Sequence, residues 1–357
     1  MSAVDVVETP AEAERLEHAP LLVLRPLAAF FDVHGLGRGE LRATRIGEGH
    51  SNVTYLIERG EARFVLRRPP RPPLPPSAHD MLREARVQQA LERAGVRVPH
   101  VVAVCADEPV LGVPFYVTEY LEGAVVTDHL PAALDIPAER RRLGVELVDA
   151  LAEIHAVDWR ACGLEDFGRP TGYLERQVRR FADLWPLNAT RELPAVEELA
   201  RWLSQELPQS GDATVVHGEY RLGNVMVSTA APAHIVAVLD WELATIGDPL
   251  ADVGYLVATY ADATSPRTPL ELSPVTRADG FPTRSQLVER YGERTGRSIA
   301  ALGWYEALAL WKAAVFCEAI YGRYLRGEIP AEDRFAASLD EGVPRLLDAA
   351  FEAAARS

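Results

Sequence analysis

The sequence predicts an α+β chain with a small antiparallel-sheet lobe followed by a larger, mainly helical lobe. Three observations carry this. Alternating apolar runs are confined to the first third, the pattern switches to helical periodicity near Glu139, and the chain is 357 residues long. At roughly 100 to 200 residues per domain, that length calls for two or three sub-lobes rather than one small module. Hydrophobic residues make up 48% and charged residues 25% of the chain, so a buried core is expected and disorder is excluded.

The first lobe, expected over residues 1–119, opens with a helical N-terminal extension. Three strand-like runs follow, LRATRIG, NVTYLIE and ARFVLRR, with turn chemistry at Gly47 to Ser51 and at Arg59 to Glu61. This is an antiparallel meander. The proline cluster from Pro69 to Pro76 reads as a stiff, extended connector. Ser77 is the expected cap of a helix whose face is marked by Met81, Leu82, Ala85, Ala90 and Leu91 and which stops at Gly95. HVVAVCAD and VPFYVTEYL complete about five strands and one helix.

The second lobe, expected over residues 120–357, begins with Leu143, Leu147, Leu151 and Ile154 at helical spacing. Further helices are predicted at about 171–187 and 193–206 and through the tail beyond Thr283. Two β-like pieces interrupt them: TVVH with its continuation NVMVS, and HIVAVLDW. Their apolar runs suggest buried strands that support loops.

The formal charge of −15, from 37 Lys+Arg against 52 Asp+Glu, argues against a nucleic-acid footprint, which needs clustered basic residues. Cys105, Cys162 and Cys317 lack metal-knuckle or redox spacing and suit a reducing compartment. The N-terminus lacks a secretory pattern, and the apolar stretch Leu21 to Phe31 is broken by Arg25 and Pro26. The expectation is a cytoplasmic protein with no membrane and no nucleic-acid partner.

The chemistry concentrates in VVHGEYRLGNVMVS, which places His217, Glu219 and Asn224 on a loop between two apolar runs, and in IVAVLDWE, which ends in Asp240. An acid, an amide and a second acid at strand ends suit Mg²⁺ held together with substrate phosphates.

On these residues the sequence resembles the aminoglycoside phosphotransferase family, relatives of choline kinases and, more distantly, of protein kinases. The family loop reads His-Gly-Asp-x-x-x-x-Asn, and HGEYRLGN matches it in frame except at the acid. The resemblance implies a protein-kinase-like bilobal fold with ATP and Mg²⁺ between the lobes and a hydroxyl of a small molecule as acceptor. It implies that Glu219 orients or deprotonates the acceptor, that Asn224 and Asp240 bind the metal, and that Asp248 and Asp252 of GDPLAD brace the loop. Trp241 and Glu242 complete the local DWE.

In the upstream lobe the same resemblance gives the loop of Gly47, Gly49, Ser51 and Asn52 a phosphate-covering role. It sets Arg67 in the slot of the phosphate-binding lysine, with Glu84 as its ion-pair partner, and gives adenine recognition to the backbone of Glu119, Tyr120 and Leu121. LRRPP…LPPSAHD…RE and HGEYRLGNVM…LDWELATIGDPLAD look especially similar to the phosphotransferase domains fused to acyl-CoA dehydrogenases, whose implied acceptors are hydroxyacyl-CoA thioesters.

Two departures stand out: Glu219 for the family Asp, which adds a methylene, and Arg67 for Lys, which exchanges a compact charge for a planar fork. They keep open an alternative, a nucleotide-binding pseudokinase with a regulatory or scaffold role. His217 and His155 read as structural histidines and Trp304 and Trp311 as core, while Arg221 is open between a phosphate contact and an acid partner.

Overall fold

The computed structural model describes residues 4–47, 52–72, 74 and 79–357. The chain divides into two units, Met1–Glu122 and Gly123–Ser357.

In the first unit, β1 (Val6–Val7) leads into α1 (Pro10–Ala13), which opens on a Thr9–Glu12 capping box. β2 (Leu22–Val23) pairs parallel with β1 and runs into α2 (Leu24–Val33), which buries Leu27 and Phe31. The meander follows as β3 (Leu41–Ile46), β4 (Val53–Arg59) and β5 (Ala62–Arg68). α3 (Met81–Arg93), β6 (Val101–Cys105), α4 (Glu108–Leu111) and β7 (Phe115–Glu119) complete the unit. The sheet is antiparallel in the order β3-β4-β5-β7-β6. One face buries Leu41, Tyr55, Ile57, Leu66, Phe115 and Val117 with the apolar stripe of α2, each large side chain contributing about 1.5–3 kcal/mol. The β4–β5 turn requires Gly60, at φ +61, because a Cβ there would stand 2.8 Å from the Arg38 carbonyl oxygen.

The helix start differs from expectation. Asp80 is the N-cap of α3, its carboxylate accepting from the Arg83 amide at 3.0 Å, whereas Ser77 lies outside the described residues, as do Pro73, Pro75 and Pro76 of the proline connector. Asp caps as well as Ser does and stands directly before the first buried residue, Met81. Leu82 is 37% exposed because it lies on the side of the helix opposite Glu84 and Leu91, the centre of the buried face.

In the second unit, β8 (Ala124–Val125) precedes α5 (Pro137–His155), α6 (Tyr173–Asn188) and α7 (Pro194–Gln205). Short strands follow: β9 (Thr214–Val216), β10 (Val225–Val227), β11 (Ile235–Val238) and β12 (Thr245–Gly247). The rest is α8 (Leu250–Thr259), α9 (Arg284–Thr295), α10 (Leu302–Leu325) and α11 (Arg334–Ala354). β10 pairs with β11 and β8, and β9 pairs with β12, all antiparallel. The sequence reading contained neither β8 nor β12, which are too short to show a period, nor α8 as a helix.

α10 is the spine of this unit and packs along α8 and α11. Its Trp304 and Trp311 donate their indole N–H groups to Leu203 O and Val196 O at 3.2 and 3.0 Å, so both are core residues. Among the described residues, no helix is long and apolar enough to cross a membrane.

Candidate active site

β9 and β10 end on either side of the loop His217–Asn224, whose entrance is fixed by Asp252 in the first turn of α8. That buried carboxylate accepts from the amides of His217 at 2.7 Å and Gly218 at 2.8 Å. His155 Nε2 stands 3.2 Å from the same carboxylate, and His155 Nδ1 lies 2.7 Å from the Tyr291 hydroxyl. Gly218, at φ +92, passes so close to Leu243 that a Cβ would meet its carbonyl oxygen at 2.9 Å.

His217 Nε2 donates to Leu239 O at 2.8 Å and its Nδ1 accepts from the Glu219 amide at 3.2 Å. One donating and one accepting nitrogen define a neutral ring, and burial lowers its pKa in the same sense. Its position is structural. Asn224, in the 3₁₀ turn Leu222–Asn224, donates its side-chain amide to Glu219 O at 2.9 Å. Its amide oxygen accepts no hydrogen bond among the described residues. The Leu239 amide donates to Asn224 O at 2.8 Å, tying the loop to the strand end that carries Asp240. Asp240 has φ +66, the left-handed conformation that Asp tolerates better than most residues and that functional sites often hold.

Glu219, Asp240 and Glu242 each offer a carboxylate oxygen within 4.8 Å of the others. Burial first, then the charges of Asp240 and Glu242, push the Glu219 pKa up to about 7, with Arg221 and Lys312 pulling the other way. Like charges gathered this closely repel unless a proton or cation is shared among them. Three hard oxygen donors with a nearby amide oxygen fit a divalent cation such as Mg²⁺. Glu242 thus joins the cluster although the sequence reading left it out of the metal set. Its place beside Asp240 in DWE was the available signal.

In the first unit, Arg67 projects from β5 and its Nε lies 3.0 and 3.2 Å from the two oxygens of Glu84 on α3. Glu84 is 1% exposed. Gly47, at φ +75, follows β3. The Asn52 side-chain oxygen is 2.8 Å from His79 Nδ1, while Gly49 and Ser51 lie outside the described residues. Glu119 ends β7, and both its amide and its carboxylate bond to the backbone of His100. The Tyr120 ring lies 4.2 Å beneath the Arg63 guanidinium, and Leu121 follows it at the end of the unit.

Lys312 escaped the sequence reading, although it is the only lysine in the chain. It sits on α10 and donates to Gln177 Oε1 of α6 at 3.0 Å. A single lysine inside a strongly apolar run was the signal available.

Comparison with known proteins then gives the lineage. The family model described as phosphotransferase enzyme family matches residues 42–290. Acyl-CoA dehydrogenase family member 11 of Rattus norvegicus is 34% identical over 323 residues, covering 87% of this chain and 41% of that protein. Family member 10 of Mus musculus is 35% identical over 305 residues, with 85% and 28% covered. The chain therefore spans less than half the length of these relatives, as the resemblance to domains fused to acyl-CoA dehydrogenases implies.

A Ralstonia eutropha protein assigned as an aminoglycoside phosphotransferase superposes with TM-score 0.79 at 31% identity, covering 92% of this chain and 98% of that one. A spectinomycin phosphotransferase solved with ADP and spectinomycin has TM-score 0.59 at 10% identity, covering 92% and 97%, a likeness of fold alone. These are kinase-like α+β folds, as the sequence predicts. The family match, extending over well more than half of the sequence, and the relatives above 30% identity lead to one conclusion: this chain belongs to the phosphotransferase enzyme family, whose members transfer a phosphoryl group to an alcohol acceptor.

Proposed function

We propose that the chain transfers the γ-phosphoryl group of ATP, as its Mg²⁺ complex, to a hydroxyl of a small molecule, and that hydroxyacyl-CoA thioesters are the acceptor class to try first. The convergence of Glu219, Asp240 and Glu242 carries this reading. The relatives named for acyl-CoA dehydrogenases support the acceptor class, and the spectinomycin enzyme solved with ADP supports nucleotide use.

In this reading Asp240, Asn224 and Glu242 hold the cation. When bound, that cation neutralises charge on the nucleotide phosphates. Glu219 receives the acceptor hydroxyl and takes its proton. Burial, the largest cause of its raised pKa, acts with or without the cation and favours its taking a proton. Its backbone is fixed by Asn224 and its loop by Asp252, so its reach is set by a held frame. Arg67, oriented by Glu84, donates to the nucleotide phosphates, with the backbone amides of Gly47 and Asn52 as further donors. The Glu119 amide is taken by His100, so adenine recognition falls mainly to the backbone of Tyr120 and Leu121.

The test is an acceptor screen with Mg²⁺ and ATP over hydroxyacyl-CoA esters, aminoglycosides, macrolides, choline-like amines and sugars, with Glu219→Gln and a chelator as controls. Acceptor-dependent ADP formation that both controls abolish is expected. Nucleotide binding without turnover on any acceptor would favour the pseudokinase, and ADP formed equally without acceptor would mean hydrolysis.

A further inference from the structure

Lys312 is the one lysine among 37 basic residues, set in α10 among buried apolar side chains. Its ammonium lies 4.7 Å from the Phe181 ring centroid and donates to Gln177 Oε1 at 3.0 Å. An ammonium has three donors, and among the described residues that hydrogen bond is the only one it makes. Arg180 follows Gln177 by three positions on α6 and adjoins Phe181, so it shares the helix face that meets Lys312. Arg180 is exposed and forms no ion pair among the described residues.

Burial and the Arg180 charge push the Lys312 pKa down to about 8, while Glu219 and Asp252 oppose them. Of those two acids, Asp252 is already spent on the loop amides and His155. Lys312 and Arg180 are thus like charges where α10 packs on α6, with Lys312 in electrostatic reach of Glu219 and with donors to spare, in a chain of net charge −15. Left without an anion, such a pair is repulsive. An anion on the acceptor completes it.

We propose that Lys312 and Arg180 form an anion subsite next to Glu219 that takes a carboxylate or phosphate of the acceptor, so that acidic hydroxy compounds are selected over polycationic amino sugars. The subsite rests on the reading that Glu219 receives the acceptor hydroxyl. The ammonium groups of an amino sugar meet two like charges there, a repulsive element that works against the wrong acceptor.

Because Lys312 is the only lysine, reductive ¹³C-methylation of the intact protein yields one side-chain resonance besides that of the terminal amine, and methylation keeps the charge. Probes are straight-chain hydroxyalkanoates, their hydroxyacyl-CoA thioesters, the matching uncharged methyl esters, and kanamycin. The acidic probes are expected to shift the Lys312 resonance saturably and the esters and kanamycin are not, with Arg180→Ala weakening the response about tenfold. A response to free hydroxyalkanoates assigns the anion to the acceptor's own carboxylate, and a response to the thioesters alone assigns it to CoA phosphates. A resonance unmoved by every acidic probe overturns the subsite.

In turnover, Lys312→Met is expected to raise KM for acidic acceptors at least tenfold more than for the esters, and Lys312→Arg to restore most of that difference. Equal losses on both acceptor types, with Glu219-dependent turnover intact, would sink the subsite and leave the phosphotransfer reading standing. A shifted resonance with no turnover on any acceptor would support the anion site and overturn phosphotransfer.

Discussion

The two charged clusters of this protein are built on opposite electrostatic terms. In the first unit, Arg67 and Glu84 are a buried pair of opposite sign at 3.0 Å, each charge countered by the other. In the second, Glu219, Asp240 and Glu242 are like charges whose oxygens lie within 4.8 Å, and the charges of Asp240 and Glu242 raise the Glu219 pKa. The contrast teaches what each is for. A pair of opposite sign holds a side chain in place, whereas a set of like charges repels internally and gains from a cation bound among its oxygens.

The largest effect should come from breaking the acidic cluster at its centre. Asp240→Asn is expected to lower kcat/KM by at least about a thousandfold, comparable to removing a principal charge-stabilising group, while leaving the melting temperature unchanged or higher. A parallel loss of stability would show that Asp240 serves the fold. Next, Glu219→Gln should cost roughly a hundredfold or more in kcat, within the range of general acid–base catalysis.

The same variant carries a pH signature. The native pKa of Glu219, about 7, lies above the ordinary carboxyl value of 4.5, so the folded state binds that proton more tightly than the unfolded state. Its ionisation therefore drains stability as the pH rises from 4.5 to 7. Without divalent cations, Glu219→Gln should match the wild type near pH 4.5 and exceed it at pH 8 by about 3 kcal/mol. Thermal melts at both pH values with chelator check this, and a variant no more stable at pH 8 than the wild type would refute it.

The matched pair should behave in the reverse manner. Arg67→Ala should weaken nucleotide affinity about tenfold, as loss of one charge-assisted contact does. Glu84→Ala should also cost about 3 kcal/mol of stability, because it strands a partly buried guanidinium. Unchanged nucleotide affinity in calorimetry of Arg67→Ala would remove Arg67 from the phosphate site. The smallest effect is a gain: Glu219→Asp, which restores the shorter acid of the family loop, should raise kcat by up to about tenfold, given how steeply rate depends on placement. A variant no faster on any accepted acceptor would show that the loop is built for Glu.

Much of this was readable before the fold. The meander from Leu41 to Arg68 alternates plainly, and α5 and α10 repeat at helical spacing over enough turns to be seen. Strands β8 and β12, of two and three residues, are too short to carry a period and form only because partners elsewhere in the chain hold them. The position of Asp252 under the loop entrance follows from α8, which no local pattern disclosed. Glu242 enters the cluster through the left-handed turn at Asp240, a tertiary feature. Lys312 was visible as a solitary residue type, yet its meaning depends on Gln177 and Phe181 arriving from a helix more than a hundred residues earlier in sequence.

The claim that Asp240 and Glu242, converging beside Glu219, bind a divalent cation is tested most directly by following thermal unfolding of the wild type and of Asp240→Asn at pH 8 as Mg²⁺ is added with a non-hydrolysable ATP analogue. The account predicts a saturable rise in the wild-type midpoint with Mg²⁺ concentration and a rise in Asp240→Asn that is absent or needs at least tenfold more Mg²⁺. A wild-type midpoint indifferent to Mg²⁺, or two proteins responding alike, would contradict it.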